Sequence, residues 1–218
     1  MNISATKATA STLCILGALS SVGHGIFEML QGNVAPNSIR IEAISPAHRF
    51  WEYGGEPALT IIPNFFITGI LATLISLLVI IWAVAFIDKK YGLWGLIILT
   101  VTMLLFGGGL APPTFMLLAI IAAAGINKPM VWRGKHIPHK LQYFFARLWP
   151  WMLILLAILV MVAIVAGFFG YPFLWIFEPD DAIKVLRIYA LITTFVIGPI
   201  AILSAFAFDT QKQRDVQS

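Results

Sequence analysis

The stretch YGLWGLIILTVTMLLFGGGLAPPTFMLLAIIAAAGIN, residues 91–127, decides how often this chain crosses a membrane. It contains no Asp, Glu, Lys or Arg. As one helix it would be about 55 Å long, because an α-helix rises about 1.5 Å per residue, whereas a hydrocarbon core is about 30 Å thick. The segment GGGLAPP at 107–113 concentrates glycine and proline, which interrupt helices. We therefore predict a hairpin of two helices, 91–107 and 112–127, with one kinked, steeply tilted helix as the alternative.

The charges on either side of this stretch favour the hairpin. Asp88-Lys89-Lys90 precedes it. The basic residues that follow it, with no acid among them, are Lys128, Arg133, Lys135, Lys140 and Arg147. Basic flanks mark the cytoplasmic side of a membrane. The stretch must then begin and end on the same side, which requires an even number of crossings.

The composition of the whole chain indicates an integral membrane protein. Hydrophobic residues make up 60% and charged residues 11% of the 218 residues. A soluble domain has about 25% charged residues, so lipid must solvate much of this surface. The single cysteine, Cys14, excludes an intrachain disulfide and a thiolate metal cage. The pI near 9.3 does not indicate nucleic acid as a partner, because the basic residues flank the apolar segments.

The fold class that follows is an all-α polytopic transmembrane helix bundle of six spans with both termini cytoplasmic. The predicted spans are 9–31, 57–87, 91–107, 112–127, 149–177 and 183–208. This arrangement places ten of the 14 Lys and Arg residues inside and four outside, as the positive-inside rule requires. A cleaved signal peptide is the alternative for the first span, but no Ala-x-Ala site follows it. The expected location is the cell (plasma or inner) membrane.

Three segments lie between or beyond the predicted spans. The outer loop, 32–56, alternates isoleucine with polar residues near its middle, which allows a short strand or a segment that lies in the membrane interface. The basic cytoplasmic loop, 128–148, is expected to form an interfacial helix on anionic lipid. The polar tail, 210–218, is expected to be disordered. A second copy of the chain or another membrane protein is the kind of protein partner that such a bundle allows.

One apolar span carries a polar stripe. Ser20, His24, Glu28 and Gln31 recur at spacings of four and three and therefore share one face of the first predicted helix. Ionisable groups inside a span are costly and usually face the bundle interior. The functional interpretation is a site that handles a proton or a cation, because histidine titrates near neutral pH and Glu28 can orient it or share a metal. The alternative is that the stripe is hydrated at the outer interface and only packs the helix.

Three further residues complete the candidate polar site. Glu52 and Glu56 come from the outer loop near the mouth of the first span, although a solvated loop is the simpler interpretation. Asn64 follows Pro63 in the second predicted span, where a proline removes a helix hydrogen bond and kinks the helix. Its amide could line a cavity or bond a neighbouring helix. The candidate site, with metal and cofactor unassigned, is His24, Glu28, Gln31, Asn64, Glu52 and Glu56.

No sequence motif names a substrate or a reaction. The chain lacks a P-loop, a dinucleotide-binding glycine fingerprint, Gly-x-Ser-x-Gly and His-Glu-x-x-His. The first of three hypotheses is a non-enzymatic protein that binds or passes a small solute or ion, or serves as an accessory subunit. The second is a membrane-embedded enzyme acting on a lipid or a small apolar substrate, with His24 as general base beside Glu28. The third is a structural partner in a membrane assembly.

Overall fold

The computed structural model describes residues 4–126, 138–170 and 176–217 and shows a helix bundle with a small two-stranded sheet. In chain order the elements are α1 (Ala5–Leu30), β1 (Arg40–Glu42), a 3-10 turn (Pro46–His48), β2 (Pro57–Leu59), α2 (Phe65–Ala85), α3 (Gly92–Leu105), α4 (Ala111–Ala123), α5 (His139–Phe169), α6 (Pro179–Ile192), a π-helical turn (Thr193–Ile197) and α7 (Gly198–Gln217). β1 and β2 pair antiparallel, with Ile41 opposite Ala58. Parts of the predicted fourth and fifth spans and of the basic loop, at 127–137 and 171–175, lie outside the described residues.

Among the described residues, four helical segments are long and apolar enough to cross a membrane, by length and composition. They are Ala5–Leu30, Phe65–Ala85, Lys140–Phe169 and Asp180–Asp215, the last running through α6, the π-helical turn and α7. The stretch 91–127 contains two separate helices, α3 and α4, of 14 and 13 residues. Each is about 20 Å long at about 1.5 Å per residue, which is shorter than a hydrocarbon core of about 30 Å.

The prediction of a span over 57–87 with a kink at Pro63 is wrong. Residues 57–59 form β2, and α2 begins only at Phe65. Asn64 is the N-cap of α2, and its side-chain oxygen accepts a hydrogen bond from a backbone N–H of the first turn at 3.0 Å. Pro63 therefore precedes the helix, where its missing N–H removes no helical hydrogen bond.

Other segment boundaries also differ from the sequence-based ones. α5 begins at His139, so residues 139–148 of the predicted cytoplasmic loop are helical. The tail that was expected to be disordered continues α7 to Gln217. The π-helical turn comes directly before Gly198 and Pro199, since a proline ring clashes with the carbonyl four residues back and disrupts regular α-helical bonding. The short strand predicted in the outer loop is present as β1.

α1 is the centre of the bundle and contacts α2, α4, α5 and α7. Its residues Leu13 and Cys14 are fully buried in the main apolar core. Gly25 and Gly69 bring α1 and α2 together, because a Cβ on Gly25 would lie 2.7 Å from the Gly69 carbonyl oxygen. A Cβ on Gly69 would lie 2.6 Å from the backbone nitrogen of Met29. Only glycine permits two backbones to approach this closely.

Replacing Gly69 by alanine should destabilise the bundle by about 1–3 kcal/mol, because the two backbones must separate to admit the methyl group. Denaturant unfolding in detergent measures the loss. Gly17→Ala is the matched control on α1, since its Cβ would meet the Met116 sulfur and the Pro112 carbonyl oxygen at 3.3 Å, which small shifts relieve. Equal losses in the two variants would contradict the close helix crossing.

Charged residues bind the start of α1 to α7 and to the segment that follows α2. Asp209 of α7 accepts hydrogen bonds from the N–H groups of Ala5 and Thr6 at 2.7 and 2.8 Å. A negative charge is favourable at a helix N-terminus, where N–H groups lack helical partners. Lys7 Nζ lies 2.8 Å from Asp88 Oδ2, just after α2, and this hydrogen bond holds the pKa of Asp88 below its usual value. We call this the capping end of the bundle, and the end that carries β1 and β2 the sheet end.

The variant Asp209→Ala should lose about 1–3 kcal/mol of stability, because two buried N–H groups then have no acceptor. Asp209→Asn keeps one side-chain oxygen as an acceptor and should lose less. Unfolding in detergent compares the three proteins, and amide hydrogen exchange should rise first at the start of α1. Wild-type stability and exchange in Asp209→Ala would show that the carboxylate does not cap this helix.

Candidate functional site

The polar stripe of α1 faces the inside of the bundle. The side chains of His24 and Glu28 are 0% exposed. Ser20 and Ser21 beside them are buried as well, and Ser21 Oγ lies 2.8 Å from Ser76 Oγ on α2. Two ionisable groups are therefore held away from water, where an unpaired charge is costly and a paired one interacts strongly.

His24 lies against an acid from the segment before β2. Its Nε2 is 2.8 Å from Glu56 Oε2, although this ion pair departs from the linear N–H···O arrangement of a hydrogen bond. Phe168 of α5 packs on the imidazole, with ring centroids 5.5 Å apart. Burial raises the pKa of Glu56, but its interaction with the His24 ring outweighs burial and holds the pKa below its ordinary value. The pair therefore favours an ionised Glu56 beside a histidine that can carry a proton.

Glu28 has no partner among the residues that the structure describes. Both of its carboxylate oxygens are buried without a hydrogen bond. An ionised carboxylate buried without a counter-charge is strongly unfavourable. Glu28 must therefore hold a proton, or bind a cation or a hydrogen-bond donor that reaches it.

The glycine triplet at 107–109 covers both side chains. Gly107 and Gly109 have φ values of +86° and +83°, which glycine adopts without strain. A Cβ on Gly107 would meet Glu28 Oε1 at 2.7 Å, and a Cβ on Gly109 would meet His24 Nε2 at 2.7 Å. The Gly107 N–H donates to the Leu59 carbonyl of β2 at 2.8 Å, and this hydrogen bond fixes the position of the glycine triplet. From the sequence, this triplet predicted only a helix break. It could also have predicted a close approach of the backbone to the polar stripe, because consecutive glycines have no side chains in the way.

Gly107→Ala should cost more stability than Gly32→Ala. Both glycines have a left-handed φ, +86° and +81°, so each substitution carries a backbone strain of about 1–2 kcal/mol. A Cβ on Gly32 meets no atom within 4 Å, whereas one on Gly107 meets the Glu28 carboxylate and the Thr68 methyl group.

The pair Gly107→Ala and Glu28→Ala tests this contact as a double-mutant cycle. Removing the Glu28 side chain should recover part of the Gly107→Ala loss, with a coupling of about 0.5–3 kcal/mol. Denaturant unfolding in detergent provides all four stabilities. Strictly additive losses would show that the glycine cover does not press on Glu28.

A cavity of about 920 Å³ opens at the sheet end of the bundle. The charged residues of its lining are Arg40, Glu42, Arg49, Glu52, Glu56 and Arg187. The Glu56 side chain is 28% exposed and also touches His24. Glu56 therefore connects the buried pair on α1 to the outside of the molecule.

The other predicted site residues lie elsewhere. Gln31 donates hydrogen bonds to the carbonyl groups of Glu42 and Ala43, which tie the end of α1 to β1. Asn64 caps α2, and Glu52 is exposed on the cavity wall. Of the six predicted residues, the structure places Glu56 against His24 and buries Glu28 one helical turn from His24.

The donor set of this site suits protons better than a chelated metal. Within residues 4–126, 138–170 and 176–217, no three His, Cys, Asp or Glu side chains converge as possible metal ligands.

Comparison with protein-family models, with curated proteins and with solved structures finds no match to this chain. The functional argument therefore depends on the chemistry of the site itself.

Proposed function

We propose that this chain is a non-enzymatic multi-pass membrane protein that takes up a proton at His24, Glu28 and Glu56 and uses it to bind or pass a small solute. The observation that carries the proposal is the Glu28 carboxylate, which is fully buried without a described partner. It lies one helical turn from a histidine that reaches a cavity through an acid. A carboxylate kept only for packing would be expected to have a partner, since its unpaired burial destabilises the fold.

The proposed topology has six spans and both termini in the cytoplasm, within the cell membrane. Lys7, Asp88 and Asp209 meet at the capping end, where the sequence concentrates basic residues and which we assign to the cytoplasm. The predicted outer segments carry four Lys and Arg residues against seven Asp and Glu residues, and we assign the sheet end, which carries the outer loop, to the outside. α3 and α4 would complete the third and fourth crossings together with their connecting segments.

The proton would enter in three steps. The exposed edge of Glu56 takes a proton from water in the cavity. His24 accepts it at Nε2, 2.8 Å away, and releases a different proton from Nδ1, which has no described partner. Glu28, one helical turn further along α1, receives that proton through a bridging water, since no direct hydrogen bond joins it to His24, and becomes neutral. Neutralisation removes the cost of its buried charge, which gives the transfer its driving force.

Infrared spectroscopy of the protein in lipid vesicles tests the proposal. A step in the external pH should change the carbonyl band of a buried carboxylic acid, and Glu28→Gln should abolish that band. Glu56→Gln should retain the band but slow its response by roughly tenfold or more, because the entry acid is missing.

Glu52→Gln is the matched control, since Glu52 lies in the same loop and on the same cavity but is exposed. It should leave both the band and its rate unchanged. If Glu28→Gln keeps the full band, Glu28 does not take up the proton. If Glu56→Gln responds as fast as the wild type, the proton enters by another route.

A further inference from the structure

We propose that the cavity at the sheet end binds a small organic anion with an apolar body, and that Arg40 and Arg187 hold its anionic group. The inference names the solute of the proposed function and rests on that function only in assigning proton exchange to Glu56. The cavity of about 920 Å³ is large enough for a small molecule.

The charge of the cavity wall supports an anion. Arg49 Nη2 lies 2.8 Å from Glu42 Oε2, so these two charges offset each other. Glu56 pairs with His24 when that ring is protonated. Among the charged lining residues that the structure describes, those without an ion pair are Arg40, Arg187 and Glu52. Two cations against one acid leave a positive balance, and a guanidinium is the side chain best shaped to hold a carboxylate.

The rest of the wall supports an apolar body. Ile183 and Leu186 of α6 line one side, and Trp51 lines another. The indole of Trp51 is fixed, because its Nε1–H donates to the Gly167 carbonyl oxygen of α5 at 2.9 Å. A fixed aromatic ring with aliphatic neighbours favours a ligand that carries a ring or a short chain beside its charge.

The position of Glu56 explains why an anion and a proton would share this site. Glu56 forms part of the wall, and its carboxylate repels an approaching anion when His24 is neutral. While Glu56 carries a proton on its way to Glu28, Glu56 is neutral and this repulsion is absent. Arg49, Glu52 and Arg187 also line the cavity around Glu56, whereas Glu28 is not part of its lining.

Benzoate, benzamide and benzylamine are the probes, since they share a ring and differ in charge. Saturation-transfer NMR with the full chain in nanodiscs measures their binding. Benzoate should bind at least roughly tenfold more tightly than benzamide, because a charge-assisted hydrogen bond is worth more than a neutral one. Arg40→Gln and Arg187→Gln should each weaken benzoate binding by roughly tenfold. Arg187→Lys should restore part of it, which a loss of folding would not allow.

Lys184→Gln is the matched control. Lys184 lies on the same helix as Arg187, is exposed, and is bound to Asp181 at 2.8 Å rather than lining the cavity. It should leave benzoate binding unchanged. Tighter binding of benzylamine than benzoate, or unchanged benzoate binding in both arginine variants, would overturn the anion site.

The two proposals fail in distinguishable ways. Glu28→Gln should leave the cavity wall intact and still bind benzoate. Absent benzoate binding together with a titrating Glu28 band would refute only the anion inference. Benzoate binding without a titrating Glu28 band would refute the proton proposal and leave the anion site standing.

Discussion

The burial of His24 and Glu28 within α1 is the constraint on which the rest of the structure depends. Ionisable groups held away from water must be paired, protonated or ligated. In this fold, the groups that surround His24 and Glu28 come from distant parts of the sequence. Glu56 reaches His24 from the segment before β2, Phe168 packs on its ring from α5, and the glycine triplet at 107–109 closes over both side chains. α1 can gather these parts because it lies at the centre and contacts four helices.

The small sheet has a larger role than its size indicates. β2 is three residues long, yet it follows Glu56 directly and its Leu59 carbonyl accepts the Gly107 N–H. One short strand therefore fixes both the acid beside His24 and the backbone above Glu28. The positive φ of Gly107 makes this possible, because a side chain there would be strained and would occupy the space of the carboxylate.

The two ends of α1 make different contacts, and the difference favours one end of the bundle for access to the site. At the capping end Asp209 bonds the first N–H groups of α1, and the adjoining core contains fully buried apolar side chains such as Leu13 and Met116. At the sheet end Gln31 bonds backbone carbonyl groups, and a cavity reaches Glu56. Water can approach the buried acids only where polar groups line the route, so the described residues favour access from the sheet end.

The sequence by itself determined a helical chain with apolar segments of membrane-spanning length, the break at 107–113 and the shared face of His24 and Glu28. Each of these depends on local composition, on helix period or on the conformational limits of glycine and proline. Only the tertiary structure decided that Glu56 rather than Glu52 contacts His24. It also decided that Gln31 bonds the backbone of β1 and that Asn64 caps α2, which begins at Phe65. These outcomes depend on the path of the connecting segments through space, because contacts between distant residues follow from packing and backbone pairing, which no local period encodes.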